Sequence, residues 1–173
     1  MKSYSTILFD LDGTLSDSSQ GIINSIIYAL EKYDVNDYDM PLLRKFLGPP
    51  LHESFEKFMG FDKEKSLQAV KLYREYFSSK GLFENEIYGG VSDLLQNLKE
   101  NGKTLIVATS KPQPFTDRIM EHFNLAKYFD FIAGSNMDTT RSKKAEVIEY
   151  ALSECNIKDK SKVVMIGDRA EDM

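Results

Sequence analysis

Four short runs rich in β-branched and aliphatic residues stand out along the chain: Ser5 to Phe9, Thr104 to Thr109, Phe129 to Ala133 and Val163 to Gly167. Each gives way to a polar or glycine-containing cluster, the mark of a strand running into a loop. Between the later runs, apolar residues recur at helical spacing: Val91, Leu94, Leu95 and Leu98; Phe115, Ile119, Met120 and Phe123; Val147, Ile148, Ala151 and Leu152. Such stripes belong to amphipathic helices. Strands alternating with helices predict an α/β fold, a doubly wound parallel sheet covered on both faces.

The first gap breaks that rhythm. Roughly 90 residues separate the first run from the second, whereas a simple crossover needs about a dozen. The gap has helical stripes of its own: Ile22, Ile23, Ile26, Ile27 and Leu30; the segment PLLRKFL; and Leu67, Val70, Tyr73, Tyr76 and Phe77. They predict an inserted all-α cap over residues 17–85, leaving 1–16 and 86–173 to form a discontinuous Rossmann-like core. Gly48-Pro49-Pro50 breaks the cap in its middle, and Lys80-Gly81 closes its last long helix.

Composition narrows the partners. The chain has 173 residues, 42% of them hydrophobic, enough for one well-buried core. Its 27 acidic and 22 basic residues give a net charge of −5 with no basic block, which argues against nucleic acid as a partner. No apolar run reaches the roughly 18 residues of a membrane span, and MKSYSTILFD meets an acid too early for a secretory leader. The expectation is a cytoplasmic monomer or homodimer that takes a small ligand and no membrane. Cys155, the single cysteine, lies in the apolar stripe VIEYALSEC and reads as a packing residue.

In a doubly wound sheet, ligands bind beyond the carboxyl ends of the strands. Those ends carry Asp10 and Asp12, then Thr109, Ser110 and Lys111, then Gly167, Asp168 and Asp172. Asp10 and Asp12 flank Leu11, so an extended segment puts both carboxylates on one side, and Gly13 permits a sharp exit. A carboxylate pair with further acid at a second strand end suits Mg²⁺, which takes hard oxygen ligands. One aspartate can then attack phosphorus and form an aspartyl-phosphate, while the other acts as acid and base. Phosphoryl transfer also needs positive charge on the equatorial oxygens. Arg141, Lys143 and Lys144 offer it at the start of a helix, and spacing does not choose among them. Asp12-Gly13 would also serve as a plain turn and the basic run as a solvated surface. A turn explains neither the second acidic cluster nor the insertion.

The ordered set FDLDGTL, VATSKP, a lysine opening a helix, and MIGDRAEDM resembles the haloacid dehalogenase-like phosphohydrolases, in particular their phosphoglycolate phosphatase-like branch with a helical cap. The resemblance covers nearly the whole chain. It implies a Mg²⁺-dependent phosphatase acting on a small phosphomonoester, phosphoglycolate-like or a nucleotide. Asp10 would be the nucleophile, Asp12 the general acid/base, Thr109 a phosphoryl hydrogen-bond partner and Lys144 the bridge between nucleophile and phosphate. The Mg²⁺ site would comprise Asp10, the main-chain carbonyl of Asp12, Asp168 and, through water or by positioning Lys144, Asp172. Gly13, Thr14, Ser110, Lys111 and Arg44 are the candidates for substrate contact, with Lys45 and His52 as further groups of the cap. Members of the family continue past this point with another strand and helix, so the resemblance implies that the final strand and helix are missing here. A phosphomutase using the same aspartate pair, or a phosphate- and Mg²⁺-responsive binding module without turnover, are the competing readings.

Overall fold

The structure is a computed structural model that describes residues 3–138 and 140–172. In chain order its elements are β1 (Thr6–Phe9), β2 (Ser16–Asp17), α1 (Ser19–Glu31), α2 (Met40–Arg44), α3 (Leu51–Met59) and α4 (Lys63–Tyr76). There follow β3 (Glu86–Ile87), α5 (Val91–Glu100), β4 (Thr104–Pro112), α6 (Gln113–His122), β5 (Phe131–Ser135), α7 (Lys144–Glu154) and β6 (Val163–Ile166). They divide into two compact units, residues 1–17 with 86–173, and residues 18–85.

The first unit is built on a four-stranded parallel sheet of order β5-β4-β1-β6. Thr6 lies opposite Thr104 on one side and Val163 on the other, and the register holds to Phe9. All four residues of β1 are buried, as are Leu105 to Thr109 of β4. Unbroken apolar runs of this kind belong to strands covered on both faces. Leu8, Ile106, Ala108 and Ala133 present one face of the sheet to Val147, Ala151 and Leu152 of α7. The chain crosses from β1 outward through β4 to β5 and returns to pair β6 on the far side of β1. That reversal opens a crevice at the carboxyl end of β1. β2 and β3 form a separate antiparallel pair, Ser16 opposite Ile87 and Asp17 opposite Glu86.

Several boundaries differ from the pattern-based reading. The third run begins its strand at Phe131 rather than Phe129, because the Asp130 carboxylate accepts from the Leu105 backbone N–H at 2.8 Å and from Lys99 Nζ at 2.8 Å. The second run continues past Thr109 to Pro112 through a register shift after Ala108. Leu94 and Leu67, both counted in helical stripes, are about half exposed. Each helix buries a narrower face: Val91 and Leu95 in α5, and Ser66, Ala69 and Tyr73 in α4.

The second unit is entirely helical. Ile23, Ile26 and Leu30 of α1 are buried, as are Leu43, Phe46, Phe55, Phe61, Tyr73 and Phe77. Aromatic rings dominate this core: Phe55 lies edge-on to Phe46 at 5.2 Å and stacks on Phe61 at 5.9 Å. Asp39 and Asp62 cap α2 and α4, each accepting a backbone N–H three residues on at 2.8 Å. α3 stops where Gly60 turns left-handed, and α4 runs on into one π-helical turn, Phe77–Gly81. Among the described residues no helix is long and apolar enough to cross a membrane.

Candidate active site

Asp10 follows the last residue of β1 and is buried, with its backbone N–H still donating to Ile166 of β6 at 2.9 Å. Its Oδ1 accepts from the Leu11 backbone N–H at 2.8 Å and lies 2.7 Å from Lys144 Nζ. The Thr109 hydroxyl of β4 also bonds this carboxylate. Burial pushes the Asp10 carboxyl above its ordinary range, and the Lys144 charge and these hydrogen bonds offset only part of the rise.

Lys144 is the first residue of α7 and is buried. Besides Asp10, its ammonium lies 2.9 Å from Asp172 Oδ1 and donates to the Ala108 carbonyl at 3.2 Å. Three acceptors thus surround a group with three protons. The other two cations of the run stand elsewhere. Lys143 is exposed, and its backbone N–H donates to Glu146 Oε2 at 3.2 Å. Arg141 donates from both Nε and Nη2 to the Gly134 carbonyl and lies 3.8 Å over the Tyr150 ring, so its guanidinium is committed to holding the loop before α7. Spacing alone does not distinguish these three environments, because each depends on what the loop meets after it folds.

The segment after Asp10 winds into a tight turn, with Leu15 and Ser16 both donating to the Leu11 carbonyl and Gly13 donating to Ser16. Gly13 has φ +80°, and a Cβ there would overlap the Asp168 carboxylate. A side chain at this position is excluded twice, by conformation and by space. Inside the turn, Asp12 Oδ1 and Thr14 Oγ1 are buried without a hydrogen-bond partner among the described residues. Asp12 Oδ2 lies 2.9 Å from Lys111 Nζ. Ser110 is exposed and its carbonyl accepts from the Ser135 hydroxyl at 2.8 Å.

At the end of β6, Asp168 is exposed and Asp172 buried, with Asp172 Oδ2 accepting from the Arg169 backbone N–H at 3.1 Å. Carboxylate oxygens of Asp10, Asp168 and Asp172 all lie within 4.8 Å of one another. Three hard anionic donors at that separation, with Lys144 the ammonium touching two of them, fit a small divalent cation such as Mg²⁺. Asp12 does not join this cluster through its side chain. Arg44, Lys45 and His52 belong to the helical unit and are exposed there, His52 lying 3.9 Å from Glu53.

The model of the haloacid dehalogenase-like hydrolases matches residues 7–173. The chain belongs to that family. It is 42% identical over 170 residues to a 5'-nucleotidase of Pseudomonas aeruginosa, covering 98% of this chain and 76% of that one. It is 36% identical over 167 residues to the tyrosine-protein kinase PtkA of Mycobacterium tuberculosis, covering 96% of this chain and 56% of the kinase. Among solved structures, a candidate phosphatase from Clostridium difficile superposes with a TM-score of 0.92 at 49% identity, covering 99% of this chain and 80% of that one. This hydrolase is accordingly an enzyme of the phosphatase type.

Proposed function

We propose that this hydrolase removes the phosphoryl group from a small phosphomonoester in a Mg²⁺-dependent reaction that passes through a phosphoaspartate on Asp10. The observation that carries the reading is the Asp10 carboxylate, buried at a strand end, anchored by Lys144 and the Leu11 N–H, with a second aspartate two residues on.

Asp10 attacks phosphorus, forming the Asp10 O–P bond as the bond to the leaving oxygen breaks. Asp12 gives that oxygen its proton. Asp12 then takes a proton from the water whose oxygen attacks the phosphoaspartate, which restores Asp10 and releases inorganic phosphate. Lys144 and Thr109 place positive charge and a hydroxyl where the phosphoryl oxygens accumulate charge. Gly13, Thr14 and Ser110 line the phosphoryl position. Asp10, Asp168 and the Asp12 carbonyl, with Asp172 in support, would hold Mg²⁺, which would supply further charge against those oxygens. The helical unit is assigned the choice of substrate, with Arg44 as its first candidate contact. A nucleoside 5'-monophosphate is the leading substrate class, given the activity named for the Pseudomonas relative.

The test is phosphate release from p-nitrophenyl phosphate and from a nucleoside monophosphate panel, with Mg²⁺ and with chelator, for the wild type and Asp10→Asn. Turnover that needs both metal and Asp10 is expected. Retained turnover in Asp10→Asn would exclude Asp10 as nucleophile.

A further inference from the structure

The turn that follows Asp10 has a neighbour that the phosphoryl chemistry does not use. Tyr88 comes directly after β3, whose Ile87 lies opposite Ser16. Its backbone N–H donates to the Leu15 carbonyl at 3.2 Å, and its own carbonyl accepts from the Val91 N–H at 3.2 Å. The same turn meets Asp168 at Gly13, where a Cβ would come to 2.3 Å from Oδ2. Tyr88 and the acid at the end of β6 thus both lie against one short turn. What burial the phenol has, together with the charges of Asp17 and Asp168, pushes its hydroxyl above the ordinary tyrosine range, which puts it within electrostatic reach of that acid.

The side chain itself is 42% exposed. Single exposed apolar residues need no explanation, and Leu94 and Met137 of the same unit are of that kind. Tyr88 differs because, among the exposed large side chains described in this unit, it is the aromatic one, and it stands near a carboxylate that clusters with Asp10. The two residues after it are glycines. Gly90 has φ +85° and leads into α5, a conformation that favours glycine. Gly89 lies outside that left-handed region, and a Cβ there would meet no atom within 4 Å. Neither conformation nor packing asks for glycine at 89, and its effect is to leave open the space beside the ring.

An aromatic face next to open space, close to the phosphoryl position, suits a flat partner. Rings pair offset or edge-on with centroids about 4.5–7 Å apart, and every nucleobase has a π-face to offer. The Asp17 charge felt at the hydroxyl weighs against a second anionic group of the substrate at this place. We propose that Tyr88 is a specificity residue: its ring stacks on the base of a nucleoside monophosphate whose phosphoryl group lies at Asp10. This inference rests on the phosphatase reading above and adds the side chain that recognises the leaving group.

The test compares adenosine 5'-monophosphate with ribose 5-phosphate, which share a primary alcohol as leaving group and differ in the base. The wild type should favour the nucleotide in kcat/KM. In Tyr88→Ala the nucleotide-to-sugar ratio should fall about 10-fold, within the span found for removing one base–aromatic stack, and the change should lie mainly in KM. Tyr88→Phe should keep the wild-type ratio, because the ring and not the hydroxyl makes the contact. Both rates come from one sample, so partial misfolding of a variant leaves the ratio unchanged. A ratio unmoved in Tyr88→Ala, an equal fall in Tyr88→Phe, or a wild type that does not favour the nucleotide would overturn the inference. If the wild type shows no turnover dependent on metal and Asp10, it is the phosphatase reading that fails. If that dependence holds and the ratio does not respond, the inference about Tyr88 fails alone.

Discussion

Lys144→Met isolates the electrostatic role of the buried lysine, since methionine keeps most of the aliphatic stem and removes the charge. In the wild type the ammonium sits 2.7 Å from Asp10 and 2.9 Å from Asp172, with all three side chains under a tenth exposed. Deleting one partner of a buried charge network typically costs about 3–5 kcal/mol, because the remaining charge loses its compensation without regaining water. Here two carboxylates are left beside each other and beside Asp168, so the upper half of that range is expected at neutral pH. The assay is urea unfolding in chelator at pH 7 for the wild type, Lys144→Met, Asp10→Asn and the double variant. Asp10→Asn alone should be close to neutral or mildly stabilising, because burial already disfavours that charge. In the double variant, removing the Asp10 charge should return at least about 1 kcal/mol of what Lys144→Met loses, a coupling of the size found for residues in one charge network. A loss below about 1 kcal/mol in Lys144→Met, or strict additivity in the double variant, would refute the argument that Lys144 neutralises a buried carboxylate pair.

Two further perturbations probe the surrounding fold. Burial by itself would raise the Asp130 carboxyl, but the bonds from Lys99 and the Leu105 N–H outweigh it and hold it below the usual range. A depressed carboxylate contributes stability above its unfolded pKa of about 3.9, and that contribution is lost as pH falls through the folded value. Asp130→Asn should therefore be less stable than the wild type at pH 6, with the gap closing below about pH 4; a gap that persists in acid would show that the carboxylate charge is not responsible. Phe55→Ala removes a fully buried ring packed on Phe46 and Phe61, and calorimetry or denaturant unfolding should register a loss of about 3–5 kcal/mol. A loss under about 1 kcal/mol would mean that the neighbouring rings collapse into the space.

The parallel sheet is legible in the sequence because strands buried on both faces, as β1 and most of β4 are, must be continuously apolar, and the runs at β5 and β6 are apolar too although β6 is only partly covered. The edges of those strands are less legible. Asp130 reads as the interior of a β-rich run until the backbone N–H of Leu105, a quarter of a hundred residues earlier, is seen to need its carboxylate. β2 and β3 carry two residues each and no periodicity, so only their pairing defines them. In the site, the acids at the ends of β1 and β6 are legible as residue types at strand ends. What each cation faces is not: Arg141, Lys143 and Lys144 lie within four positions, yet one clasps a carbonyl, one is exposed and one sits among carboxylates. The pairing of Lys111 with Asp12 is hidden for the same reason, since it depends on a strand irregularity that leaves no signature in composition.

The paired strands β2 and β3 have a consequence for how such a protein is assembled and altered. The chain leaves the sheet-bearing unit just after Asp17 and re-enters it at Glu86, and these two residues are direct antiparallel partners. Partners across such a pair stand only about 5 Å apart, so the departing and returning strands are already brought together by their own hydrogen bonds. The excursion therefore starts and ends at paired residues, and the entropy of closing it grows only slowly with its length. The hairpin is therefore a socket: a chain of different length or fold could be grafted at residues 18–85, or a short turn substituted, with the register of the β2–β3 pair preserved on either side.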